Sequence, residues 1–219
     1  MNTVFKKAAI AATISCALTS TAFAGTSANL GAMSDYVWRG WTQNASKPSL
    51  MGGLDYEASN GFYVGTWAAQ VDNSGKGYEL DLYGGYSKEL SNGLGFDVGA
   101  IKYAYPGVSA DFTEVYLNGT YKFVEFGVAQ TVAADNSASK GDLYTHLTLS
   151  KDFGPVSASA TFGNTNFDAA GVKSVNHTQL AGTYSIPNKI GDITVAIDDT
   201  NEAGSSPIYS LTYSKSFDF

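Results

Sequence analysis

Apolar and polar residues alternate with a period of two along most of the chain, and no window after Ala24 keeps a helical period over three turns. In the stretch 78–86, Tyr78, Leu80, Leu82, Gly84 and Tyr86 share one face, and Glu79, Asp81, Tyr83 and Gly85 share the other. Val115, Leu117, Gly119 and Tyr121 likewise oppose Glu114, Tyr116, Asn118 and Lys122. Leu143, Leu147 and Leu149 oppose Tyr144, His146, Thr148 and Ser150. Runs of this kind predict twelve strands, near 29–43, 47–58, 61–71, 77–90, 94–105, 111–122, 124–133, 142–153, 155–163, 175–186, 190–198 and 207–219. An even number of antiparallel strands of about ten residues each is the pattern of a bacterial outer-membrane β-barrel.

The connections carry the same signal. After even-numbered strands they are mostly tight: Ser59-Asn60-Gly61, Ser91-Asn92-Gly93, Phe153-Gly154-Pro155 and Pro187-Asn188-Lys189. Asn-Gly suits such turns because both residues tolerate positive φ. After odd-numbered strands the links are longer and polar, as in 72–77, 134–141, 164–174 and 200–206. Short turns on one rim and long loops on the other are the barrel asymmetry, and they place both ends of the barrel on the periplasmic side. Tyr209, Leu211, Tyr213, Phe217 and the terminal Phe219 share a face that Lys215 interrupts. An aromatic last strand ending in Phe resembles the insertion signal read by the barrel-assembly machinery.

Composition narrows the alternatives. Charged residues make up 15% of the 219, well below the usual ~25%. A soluble β-sandwich also alternates, but it needs a charged outer face. Here the polar faces are rich in Gly, Ser, Thr and Tyr with a few carboxylates, so the twelve-stranded transmembrane barrel is preferred. The net charge of −7 argues against nucleic acid as a partner. Lys6 and Lys7, the apolar run 8–18 and Ala22-Phe23-Ala24 read as an export signal cleaved after Ala24. The one cysteine, Cys16, lies inside it and fits a lipoprotein site poorly. This divides the chain into a signal, 1–24, and an outer-membrane barrel, 25–219. Without the two lysines, 11 basic residues face 20 acidic ones, a net −9.

Several motifs in order resemble one bacterial family. They are Ser34-Asp35-Tyr36-Val37-Trp38-Arg39-Gly40, Gln43, Lys47-Pro48-Ser49 and Gly53-Leu54-Asp55-Tyr56. Gly61-Phe62-Tyr63-Val64-Gly65-Thr66-Trp67, the run 78–86, Tyr103-Ala104-Tyr105-Pro106 and Glu114-Val115-Tyr116 follow. The chain is similar to the proteobacterial TorF family of conserved hypothetical porins. That resemblance implies an outer-membrane barrel with a pore and supplies no established solute.

The candidate pore lining starts from Arg39, the only arginine in the chain. On a first strand running 29–43, Asp35, Val37, Arg39, Trp41 and Gln43 share a face. A charge facing mid-membrane lipid costs about 2–4 kcal/mol, so Arg39 belongs in the lumen. Asp55, Glu57, Glu79, Asp81, Asp97 and Glu114 face the same way on strands two, four, five and six. Two readings stay open here: a constriction that favours cations and neutral polar solutes, or an ion-pair network that fills a narrow barrel. Trp41 is a lumen candidate, whereas Trp38 and Trp67 are expected to anchor at the lipid interface.

Signals for enzyme chemistry are weak. His146 and Ser150 share a face, but no nucleophile elbow or triad spacing accompanies them. His177 reads as a hydrogen-bonding lumen residue. Asp198, Asp199 and Glu202 read as a solvated acidic loop rather than a calcium site. No catalytic residue, cofactor or metal ligand is assigned. The expected function is a monomeric outer-membrane channel for passive diffusion, with membrane lipid and a small solute as partners. A closed barrel with a structural or surface role is the first alternative, and a lipid-modifying enzyme the second.

Overall fold

The computed structural model describes residues 25–72, 77–136 and 139–219. The signal assigned to 1–24, with Cys16, lies outside them. Twelve long strands form the barrel: β1 (Gly25–Met33), β4 (Ser49–Glu57), β5 (Phe62–Val71), β6 (Gly77–Glu89), β7 (Leu94–Ala104), β8 (Phe112–Tyr121), β9 (Val124–Ala134), β10 (Leu143–Phe153), β11 (Val156–Asn166), β12 (Val175–Ile186), β13 (Gly191–Thr200) and β14 (Ile208–Asp218). Each pairs antiparallel with the next, and β1 pairs with both β4 and β14, which closes the cylinder. Two short strands, β2 (Val37–Trp38) and β3 (Trp41–Thr42), pair only with each other.

The first strand departs from the periodicity reading. The chain leaves the barrel wall after Met33, and 34–48 fold back as a loop around the β2–β3 hairpin. The turn is made by Arg39 (φ 50°) and Gly40 (φ 90°), between the paired Trp38 and Trp41. Positive φ at both central residues is the geometry of a tight two-residue hairpin. A hairpin alternates with the same period as a strand, so the polar–apolar pattern of 35–43 fits both.

The barrel is inside out relative to a water-soluble protein. Leu30, Leu54, Leu82, Val98, Leu117, Phe162, Leu180, Val195 and Leu211 are all exposed on the outer wall. The most completely buried side chains are Glu79, Thr183, Asp81, Asp198 and Ser49. A soluble sandwich cannot leave so many large apolar residues in water, whereas hydrocarbon accepts them. From Tyr78 to Tyr86 the outward positions of β6 stay apolar, a band of about 20 Å at ~3.3 Å per residue and a tilt near 40°. Tyr56, Phe62, Tyr86, Tyr121, Phe153, Tyr184 and Phe217 sit toward the short-turn rim as an aromatic girdle. Lys102, Thr113, Gln130, Asn164 and Asn176 occupy outward positions near the long-loop rim.

Leu82 stands midway along the apolar band. Leu82→Arg is expected to cost about 2–4 kcal/mol of folding stability in phospholipid vesicles. A urea titration of tryptophan fluorescence measures this, and a loss below about 1 kcal/mol would refute the assignment of that face to lipid.

Candidate functional site

The loop 34–48 turns into the lumen, where Tyr36, Val37 and Arg39 are buried and Trp38 and Trp41 half-buried. Its entry is tied to the wall: Ser34 N donates to Leu211 O at 2.8 Å, and Leu211 N donates to Ser34 Oγ at 2.9 Å. Thr42 Oγ1 donates to Asp35 Oδ1 at 2.5 Å across the hairpin. Asn44 Nδ2 donates to Pro48 O at 2.8 Å, and Asp72 N to Gln43 O at 2.9 Å, which fix the exit. Asp35 thus serves the hairpin's own geometry and is not a residue of the wall.

At the tip, Arg39 donates from Nη1 and Nη2 to the two oxygens of Glu114, at 2.9 and 2.7 Å. Its guanidinium carbon lies 4.2 Å from the centre of the Trp38 ring and 3.9 Å from that of Tyr144. The cation is thus held between β8 and β10 by a two-point ion pair and two ring faces. Burial works against the Arg39 charge, but Glu114, together with Tyr103 and Tyr144, offsets it and leaves the guanidinium pKa raised. Gly40 passes so close to Thr200 and His177 that a Cβ there would collide with both. The hairpin therefore spans the lumen to the far wall.

A second attachment joins the hairpin to β6. Tyr36 Oη donates to Glu79 Oε1 at 2.7 Å, and Tyr105 Oη donates to Oε2 at 2.5 Å. Burial, with the nearby Glu79 charge, pushes the Tyr36 phenol well above its ordinary range, so it stays a donor. Tyr36 meets Trp67 edge-on at 5.5 Å, and Trp38 meets Tyr103 edge-on at 6.0 Å. Tyr103, Phe112 and Tyr105 stack beneath. Trp41 sits half-buried, and its Nε1 donates to Glu202 Oε2 at 2.5 Å.

The other expected carboxylates are spread over the wall. Asp55 accepts from Tyr83 Oη at 2.5 Å and Asp97 from Tyr63 Oη at 2.6 Å. Glu57 is half-buried near the short-turn end of β4. Asp81 is wholly buried on β6. Of the expected set, Glu114 alone grips Arg39 in a salt bridge. Three expectations need correction. Arg39, Asp35 and Trp41 lie on an inward hairpin and not on a barrel strand, because the chain turns at Arg39-Gly40. Trp38 and Trp67 pack inside the lumen and not at the lipid interface. Asp198 and Asp199 belong to β13, and Asp198 is buried, accepting from Gln179 Nε2 at 2.9 Å.

Tyr36, Tyr105, Tyr144 and Glu125 were not singled out as site residues. The inward parity of Tyr105, Tyr144 and Glu125 is legible, but their partners come from distant strands; Tyr36 shares the face of Trp38, which a continuous strand over 29–43 would turn to lipid, and only the inward hairpin brings it to Glu79. His146 bonds Glu125 through Nε2 at 3.0 Å and lies flat beside Tyr144. A Cβ at Gly127 would run into its ring, and one at Gly163 into that of His177, so both imidazoles rest on glycines of the wall. Ser150 is exposed four residues further along β10, about 13 Å away at ~3.3 Å per residue. A Ser–His nucleophile is not assembled there. A cavity of about 40 Å³ lies among Arg39, Glu114, Tyr116, Asn118, Tyr144 and His146, roughly the volume of a single water.

A family model described as a bacterial protein of unknown function, Gcw_chp, matches residues 17–213, and the chain belongs to that family. No curated protein matches it. Among solved structures, a KdgM porin is similar at 8% identity and TM-score 0.60, over 88% of this chain and 99% of that one. A KdgM porin in complex with disordered oligogalacturonate is similar at 6% identity and TM-score 0.59, over 89% of this chain and 99% of that one. A structure from work on in-meso crystallisation of membrane proteins is similar at 9% identity and TM-score 0.60, over 90% and 84%. These likenesses establish the fold of a closed antiparallel barrel.

Glu114→Ala leaves Arg39 buried without its counter-charge, at a cost of about 3–5 kcal/mol. The loss should appear as faster hydrogen exchange in Val37–Thr42. Adding Arg39→Ala should recover most of it, and a simple sum of the two single effects would refute the coupling.

Proposed function

We propose that the chain is an outer-membrane channel of the porin kind, through which small polar or cationic solutes diffuse past the inward hairpin. The observation that carries this reading is the distribution of charge. Asp55, Glu57, Glu79, Asp81, Asp97 and Glu114 take inward positions on their strands, as do Glu125 and Asp198. Every strand lysine among the described residues, Lys88, Lys102, Lys151 and Lys215, takes an outward position toward one end of its strand. Lysines there extend their ammonium groups to the interface. The one arginine is already paired. A lumen with such an excess of carboxylates lowers the barrier to cations and raises it to anions.

The outer apolar band, the girdle and the export signal assigned to 1–24 support a place in the outer membrane. The outward aromatic row of β14, Tyr209, Tyr213 and Phe217, suits recognition by the barrel-assembly machinery. The resemblance to the TorF porins points the same way. Twelve strands lie between the filled eight-stranded barrels and the wide sixteen-stranded porins, and the hairpin narrows the lumen further. The similar KdgM barrel was solved with oligogalacturonate. A polyacid of that kind suits this carboxylate-lined lumen poorly, which is why neutral polar and cationic solutes are proposed.

A second reading, a barrel closed by its hairpin, is favoured by the burial of Arg39 at 8% exposure. One experiment separates the two. The mature chain, refolded and shown to be heat-modifiable, is placed in a planar bilayer. Discrete conductance steps with a cation-selective reversal potential are expected. Excising residues 36–45 should enlarge the steps, and Asp97→Lys should move the reversal potential toward anions. A folded barrel that stays silent even without its hairpin would sink the channel reading.

A further inference from the structure

Two of the most deeply hidden carboxylates, Asp81 and Glu79, lie side by side on the lumen face of β6. Asp81 is 0% exposed and Glu79 is 2% exposed. Glu79 is engaged at both oxygens, by Tyr36 and Tyr105. Asp81 is not: neither Oδ1 nor Oδ2 has a hydrogen-bond partner in the protein. Burying a carboxylate without a partner is costly enough that native sites almost always supply one. Arg39 is committed to Glu114, and the strand lysines take outward positions.

The surroundings of Asp81 are those a small cation would meet. Its register neighbours on the lumen face are Trp67 on β5 and Tyr103 on β7. Glu79 and Tyr83 flank it along β6. Tyr36 packs on Trp67 and Trp38 packs on Tyr103, so the hairpin closes over the carboxylate with aromatic rings. A second carboxylate on the same face, rings alongside and little water combine Coulomb attraction with cation–π attraction. Divalent ions need six or more oxygen ligands or a full octahedral shell. Among the described residues, no group of three or more His, Cys, Asp or Glu side chains is placed to hold a metal ion. An alkali-metal ion imposes no fixed coordination geometry.

We propose that Asp81, with Glu79 beside it, binds an alkali-metal cation beneath the hairpin, and that the bound ion holds the hairpin against the wall. The inference rests on the channel reading only in taking the lumen as the ion's route. Its test therefore reads stability and not current. Thermal unfolding of the refolded mature barrel is followed in potassium chloride and in N-methylglucamine chloride at equal ionic strength. N-methylglucamine serves as the bulky comparison cation. The midpoint should lie about 4 °C higher in potassium. Asp81→Asn should abolish that difference, whereas Glu114→Gln should lower the midpoint in both salts and keep it.

No potassium effect in the wild type, or an undiminished one in Asp81→Asn, overturns the proposal. Should Asp81→Asn fail to fold, crystals of the wild type soaked in thallium(I) decide the matter. Anomalous density at Asp81 supports the site, and its absence there overturns it. A barrel that passes no current yet keeps the potassium effect counts against the channel alone. A conducting barrel without the effect counts against the cation site alone.

Discussion

A backbone that crosses hydrocarbon has no water to bond with, so every peptide group in the span needs a partner inside the protein. The chain meets this demand by closing a ring. β1 pairs on one side with β4, Leu30 opposite Gly52, and on the other with β14, Leu30 opposite Lys215. No edge strand remains among the twelve. Closure then sorts the side chains. Odd and even positions face opposite media, so each strand carries an apolar row for lipid and a polar row for the lumen. Leu82 and Asp81 are adjacent in sequence, yet one is 52% exposed on the outer wall and the other fully buried on the inner.

The same closure sets the problem that the hairpin addresses. A narrow ring brings carboxylates from β4, β6, β7, β8, β9 and β13 toward one axis, where they repel one another. Segment 34–48 delivers the single arginine into that field. Its two-point contact with Glu114, under Trp38 and over Tyr144, places the positive charge where neighbouring rings and a carboxylate share it. Tyr36 and Tyr105 satisfy Glu79 without adding charge. The hairpin thus fills part of the lumen and sets one positive charge among its carboxylates.

Much of this architecture was legible in the chain. The twelve strands, the tight turns on one rim, the long loops on the other and the inward parity of Glu79, Asp81, Asp97 and Glu114 follow from period-two alternation and turn chemistry, which are local properties. Where the reading failed, the failure was local as well. Asp35 to Gln43 alternates as a strand would, and Arg39-Gly40 is a weaker turn signal than Asn60-Gly61. Trp38 and Trp67 could not be placed by residue type, since a tryptophan suits the membrane interface and an aromatic lumen equally.

Local alternation is enough to assign the class of fold, the faces of its strands and the sign of the charge inside, because each depends on neighbours two to four residues away. The inward fold of 34–48, the meeting of Arg39 with Glu114 rather than Asp55 or Glu79, and the enclosure of Asp81 without a protein partner arise from the closed ring. Those outcomes depend on which strands the ring sets opposite one another. Arg39 and Glu114 are 75 residues apart in the chain, and no local pattern encodes a contact made across the lumen of a closed barrel.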